Sequence, residues 1–161
     1  MVRLLVLFAV LTGCVQEGLD QPQPVVELDR EFFRCNVQPV LAARCAFAAC
    51  HGSNQRPLRV FAVQRMRLEV PWTEMTTPLT SDELDANYRS AVGLTADADM
   101  ALLTRKPLDV TAGGFYHEGR ELYAGDDVFM SEDDPGYRLL RRWTEGETAA
   151  AGCEPTEEVG P

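Results

Sequence analysis

The sequence predicts a mainly α fold: a small helical domain with long ordered loops, following a signal peptide and a short tether. Three stretches carry that reading. From Leu28 to Cys45, the apolar residues Phe32, Phe33, Val37, Val40 and Leu41 recur at mixed three- and four-residue spacing, one face of a helix. Thr80, with Glu83 three residues on, forms a capping-box pattern ahead of Leu84, Tyr88 and Val92, and Gly93 supplies the stop. Asp133-Asp134-Pro135 sets acids and a first-turn proline at the positive end of a last helix. Its stripe is Tyr137, Leu139, Leu140 and Trp143, and Gly146 closes it.

The remaining elements are read in turn. Pro39 interrupts the first helix, so either that helix kinks or a fresh one begins with proline in its first turn. Gly52-Ser53-Asn54 ends the segment that follows. In Arg56 to Glu69, the alternation of Leu58, Val60, Phe61 and Val63 predicts a short strand or extended run. Asp99 to Thr104 forms another short helical turn. Asp109 to Gly125, with Gly113-Gly114 and Gly119 around Phe115, Tyr116 and His117, is an ordered loop.

Composition narrows the function. The chain has 161 residues, room for one domain, with 45 % hydrophobic and 25 % charged residues. A net charge of −10 excludes a nucleic-acid partner, which needs a basic face. Lys106 is the only lysine, which reads as genome bias, and only two histidines are present. No nucleophile elbow, phosphate-binding glycine loop or zinc-protease motif occurs. Ser53, Ser81, Ser90 and Ser131 have no local base partner, so no enzyme activity is expected.

The first residues read as an address. Arg3 gives a positive charge, Leu4 to Leu11 is an apolar run too short to span a bilayer, and Leu11-Thr12-Gly13-Cys14 follows. That ending resembles the lipobox of bacterial lipoproteins. The resemblance implies cleavage before Cys14 and acylation (palmitate-type chains) of its thiol and new amino terminus. Several acyl chains anchor more firmly than one. Val15 stands where an inner-membrane retention signal would place Asp, so outer-membrane residence, facing the periplasm, is expected. Gln16 to Pro24 is a polar tether with a proline pair that favours extended backbone. The predicted boundaries are 1–13 for the signal peptide, 14–26 for the lipidated cysteine and tether, 27–147 for the domain, and 148–161 for a tail holding Cys153.

Beyond Cys14, the cysteines are Cys35, Cys45, Cys50 and Cys153. Export places them in an oxidising compartment, where a structural zinc site is less expected than in the cytosol. The segment Cys45-Ala-Phe-Ala-Ala-Cys50-His51-Gly52 holds a cysteine pair followed by histidine. A c-type haem is attached through two such thiols, with that histidine bonding the iron. The usual spacer has two residues and this one has four. On an ideal helix, residues five apart rise about 7.5 Å, beyond the roughly 7 Å reach of a disulfide. The segment must therefore break helix whether it holds haem or a bridge.

The chain resembles the c-type cytochrome domains of exported bacterial proteins, and more closely the small cytochrome-like lipoproteins of myxobacteria and planctomycetes. The matching residues are Val37 to Leu41 before Arg44-Cys45, then Cys50-His51-Gly52-Ser53. They continue with Leu103 to Leu108, Gly113-Gly114 and His117, and end with Asp134-Pro135, Tyr137 and Leu140 to Trp143, so the likeness covers roughly residues 31 to 146. It implies a cytochrome c-like helical bundle around haem c, with first and last helices packed together, and electron transfer as its function. Cys45 and Cys50 would form the thioethers and His51 the proximal iron ligand. His117 would close the far side, with Met130 as the alternative; Met100, Met66 and Met75 are the other thioethers available. With Cys45 and Cys50 on haem, Cys35 and Cys153 remain as a pair able to staple the two helices the family packs together.

The alternative is a haem-free, disulfide-stapled structural or binding lipoprotein of the same fold, with Cys45–Cys50 and Cys35–Cys153 one of three possible pairings. Arg56, Arg59, Arg65 and Arg67 are either partners for haem propionates or a solvated basic face. Asp126, Asp127, Glu132, Asp133 and Asp134 are either oxygen ligands for a divalent cation or a helix-start charge cluster. Trp72 and Trp143 are core or haem-wall aromatics. The anionic surface suits a basic redox partner.

Overall fold

The computed structural model describes residues 27–96, 98–118 and 125–150. The signal segment, Cys14, the tether, Gly119 and Cys153 lie outside the described residues. Within them the protein is helical, with no strand and a single isolated parallel bridge between Leu108 and Phe129. No helix there is long and apolar enough to cross a membrane.

Five α-helical pieces order the chain: α1 Arg30–Phe32, α2 Gln38–Arg44, α3 Ser81–Val92, α4 Leu102–Arg105 and α5 Pro135–Thr144. Asp29 caps α1 by accepting the Phe32 N–H at 2.5 Å. Between α1 and α2 the helical path is continuous, and α2 begins with Pro39 in its first turn, the second of the two expected forms. The chain runs on through a π-helical stretch, Phe33–Val37, where the Gln38 N–H reaches back to the Phe33 carbonyl. Pro39 explains the wider turn: it has no N–H to donate, and its ring crowds the carbonyl four residues back. The π turn relaxes that crowding without ending the helix.

Thr80 and Glu83 form the expected reciprocal capping box of α3. In α5, Asp134 accepts the N–H groups of Gly136 and Tyr137 at 2.7 and 3.2 Å, and Pro135 occupies the first turn. Gly146 follows the helix with φ of +90°, a conformation that favours glycine.

The core sits where the first helix, α3 and α5 meet. The Phe33 ring lies 5.5 Å from Tyr88 and 5.1 Å from Trp143, and the latter two are 5.9 Å apart. Both outer partners hold the entry of the first helix: the Tyr88 hydroxyl donates to the Leu28 carbonyl at 2.6 Å, and Trp143 Nε1–H to the Asp29 carbonyl at 2.8 Å. Trp143 is therefore core. Trp72, expected beside it or at a haem wall, is 85 % exposed. It occupies a short 3₁₀ turn, Trp72–Glu74, after Pro71 in an outer loop.

The strand expected within Arg56 to Glu69 does not form. Leu58, Val60, Phe61 and Ala62 are buried as that pattern requires, but helix side chains take the place of a neighbouring strand. Asn87 accepts the Phe61 N–H and donates to the Phe61 carbonyl, each at 2.8 Å, and the Gln38 amide donates to the same carbonyl at 3.3 Å. Val63 is exposed, ending the alternation. Nearby, Arg67 is no solvated cation: its side chain is 2 % exposed against Glu83 at 0 %. Glu83 accepts from Arg67 Nε and Nη2, from the Leu68 N–H and from the Thr80 N–H.

Candidate functional site

A cavity of about 690 Å³ lies between the C-terminal end of α2, the loop after it, α4 and α5. That is the size of a cofactor site. Leu41, Leu58, Leu94, Leu103, Val128 and Leu140 form its apolar walls. The same cavity is lined by Cys45, Cys50, His51 and His117, so residues 72 positions apart in the chain come to one place.

The four-residue spacer is accommodated as a bulge. The Ala46 N–H still bonds to the Leu41 carbonyl and Ala46 is fully buried, whereas Phe47, Ala48 and Ala49 are exposed. The Cys50 and Gly52 N–H groups both donate to the Phe47 carbonyl, and the His51 N–H to the Cys45 carbonyl at 3.0 Å. A Cβ at position 52 would fall on the Ala46 carbonyl oxygen, so only glycine permits this closure. Helix thus ends at Cys45, as the spacing requires. Neither Cys45 nor Cys50 is in a disulfide, and the pairing of these two does not form. The bulge, closed by its own backbone bonds, leaves both as thiols. Burial pushes the Cys45 thiol up to about 12, with Cys50 adding to the effect against the nearby charges of Arg44 and Arg65.

His51 is fixed at both ends. Its carbonyl accepts the Val60 N–H at 2.8 Å, and its ring Nδ1 lies 3.0 Å from the Leu58 carbonyl oxygen. A carbonyl only accepts, so Nδ1 carries the proton and Nε2 keeps a lone pair. Burial, together with the charge of Arg56, holds His51 below the usual histidine range despite the Leu58 contact. His117 is lowered as well, first by burial and then by His51 opposite, while Asp127 pulls the other way. Both rings are therefore neutral near pH 7, the form that binds a metal.

The two rings face one another with centroids 6.0 Å apart and planes tilted by 35°.

Met130, the alternative to His117, is half-exposed and is not among the residues lining the cavity; Met100, Met66 and Met75 do not line it either. Met130 follows Phe129, whose side chain turns into the core, and the alternation leaves the methionine outside. Of the four arginines considered for propionates, Arg56 lines the cavity and pairs with Glu118 at 3.4 Å. Arg65 instead stacks on Phe47 at 4.0 Å, Arg67 is consumed by Glu83, and Arg59 is exposed and not among the lining residues. Lys106 and Arg44 line the cavity although the sequence did not single them out for it. The signal for Lys106 was its uniqueness, which composition alone does not tie to a site.

Cys35 is buried in the first helix and disulfide-bonded; Cys153, its expected partner, lies outside the described residues. The acidic stretch does not gather: no group of three or more His, Cys, Asp or Glu able to hold a metal occurs among the described residues. Asp134 caps α5 and pairs with Arg44 at 3.0 Å, and Glu132 pairs with Arg141 at 2.8 Å. No protein-family model, curated protein or solved structure matches the chain.

Proposed function

We propose that this chain is an electron-transfer c-type haem lipoprotein, held by Cys14 at the periplasmic face of a bacterial outer membrane. The observation that carries the reading is the approach of His51 and His117, with ring centres 6.0 Å apart, at a cavity that Cys45 and Cys50 also line. The residues present fit the group. Two thiols stand next to a histidine whose Nδ1–H is held by a carbonyl, as metal-binding histidines commonly are. A second histidine, His117, lies beside it, and the cations Arg44, Arg56 and Lys106 line the cavity, Arg56 already paired with Glu118 and Lys106 with the Tyr116 carbonyl. The packing of the first helix against α5 supports a cytochrome c-like bundle.

Haem, when bound, supplies reversible one-electron chemistry. Cys45 and Cys50 would hold it, and His51 through Nε2 and His117 would be its iron ligands. A second imidazole instead of a thioether sets a lower potential than a Met130 ligand would. The apolar walls would pack against the ring, and the anionic chain would steer a basic redox partner.

The test is a visible spectrum with redox cycling, on protein exported by a host that carries haem-attachment machinery. A red product whose sharp reduced bands appear and vanish reversibly supports the reading, and Cys45→Ala with Cys50→Ala must abolish covalent retention of the colour. A colourless product contradicts it. That outcome returns the haem-free alternative, a disulfide-stapled structural or binding lipoprotein; the disulfide at Cys35 is common to both readings.

A further inference from the structure

His117 arrives on a segment with little backbone support. The last backbone hydrogen bond before it, among the described residues, is the Phe115 N–H to the Arg105 carbonyl at 2.7 Å. No backbone–backbone bond is found for Tyr116, His117 or Glu118 within those residues. Upstream, Gly113 has φ of +93°, and a Cβ on Gly114 would collide with the Leu108 carbonyl, so this entry is a glycine-only turn. Two cations then act on the segment. Lys106 Nζ donates to the Tyr116 carbonyl at 2.9 Å, one residue before His117. Arg56 meets Glu118 at 3.4 Å, one residue after it, with both side chains well exposed. Both contacts are exposed; they differ in that Arg56 meets a side-chain carboxylate, whereas the Lys106 ammonium bonds the backbone of the segment itself. Lys106 itself is placed by the C-terminal end of α4, where its N–H bonds to the Leu102 carbonyl.

We propose that Lys106 is the positioning residue that sets the His117 imidazole opposite His51. This rests on the haem reading of the cavity. It assigns a specific task to the chain's only lysine: the ammonium holds the Tyr116 carbonyl, and the next residue's side chain is thereby aimed into the cavity. Without that hold, the His117 segment is tied from one side only and its imidazole spends part of its time away from His51.

The experiment compares exported, haem-bearing wild type with Lys106→Met, Lys106→Arg and His117→Ala. Lys106→Met keeps the apolar stem and removes the donor; Lys106→Arg restores a cation. The readouts are the visible bands that separate six-coordinate from five-coordinate ferric haem, and the affinity for added free imidazole. His117→Ala defines the fully vacated signature. Lys106→Met is expected to show a partial five-coordinate signature and to bind imidazole about tenfold or more tightly than wild type, as for loss of a charge-assisted hydrogen bond, with Lys106→Arg restoring most of the wild-type behaviour. Equal spectra and equal imidazole affinity in wild type and Lys106→Met overturn the proposal. Should wild type carry no haem, the reading of the cavity fails separately. Amide exchange then decides the inference: Lys106→Met must raise exchange in the peptide spanning 115–118 with helix α5 unchanged, and equal exchange overturns it.

Discussion

Nδ1 of His51 sits 3.0 Å from the carbonyl oxygen of Leu58, and this one contact determines which imidazole nitrogen is left to act. The carbonyl belongs to the extended run Leu58 to Ala62, which is itself held by Asn87 of α3 and Gln38 of α2. The orientation of the ring is thus set by the helical core through two side-chain amides and a loop carbonyl. For the opposite ring, no such ring-to-backbone contact occurs among the described residues, and Lys106 holds the carbonyl of the residue before it, Tyr116.

Burial of both histidines makes stability depend on pH. An unfolded histidine titrates near 6.5, and both His51 and His117 are lowered below that in the fold. Below that pH the unfolded chain takes up protons that the folded chain refuses, so stability falls as pH falls. Denaturant midpoints of the haem-free protein should therefore drop from pH 7.5 to 5.5, and the drop should shrink in His51→Gln and His117→Gln. A midpoint independent of pH across this window contradicts the burial of neutral imidazoles.

Glu83 gives a second, separate window. Burial alone would raise its carboxyl, but hydrogen bonds from Arg67, the Thr80 N–H and the Leu68 N–H, with the charge of Arg67, bring it from 4.5 down to about 2. Its stabilisation is fully present above pH 4.5 and is lost as pH falls toward 2. Glu83→Gln leaves Arg67 buried without its counter-charge and is expected to cost about 3–5 kcal/mol at pH 7. Equilibrium urea unfolding measures it, and a loss below about 1 kcal/mol would mark the pair as peripheral.

The two thiols differ in access. Cys45 is buried with its thiol pushed up to about 12, whereas Cys50 is partly exposed on the bulge. Only the thiolate reacts. In haem-free folded protein at pH 8, iodoacetamide should label Cys50 first and Cys45 only on the timescale of unfolding, as read by peptide mass. Equal labelling would place Cys45 at the surface.

Much of the helical frame was legible in the sequence, because caps are local chemistry. Thr80 with Glu83 and Asp134 with Pro135 require only their own neighbours, and both helices begin where those residues stand. The run around Val60 was misread because its period of two reports burial on one face, and side-chain amides from distant helices satisfied its backbone instead of a strand. Cys45, Cys50 and His51 were visible as a contiguous group, and His117 as the only other imidazole. The structure brings these four to a single cavity. Arg67 and Lys106 were not legible in their roles. A charged residue in a sequence looks the same whether it faces a cavity, a buried glutamate or solvent, and the difference arises only when Glu83 or Tyr116 is folded against it.

The most direct test of the central claim is the mass of the peptide spanning residues 44–56, cut from protein exported with haem-attachment machinery present. The account predicts this peptide heavier by one haem, with both Cys45 and Cys50 unavailable to thiol reagents. A peptide without the haem mass, either unmodified with two cysteines that alkylate or lighter by two hydrogens with the cysteines joined to each other, would contradict it and leave the cavity without the group proposed for it.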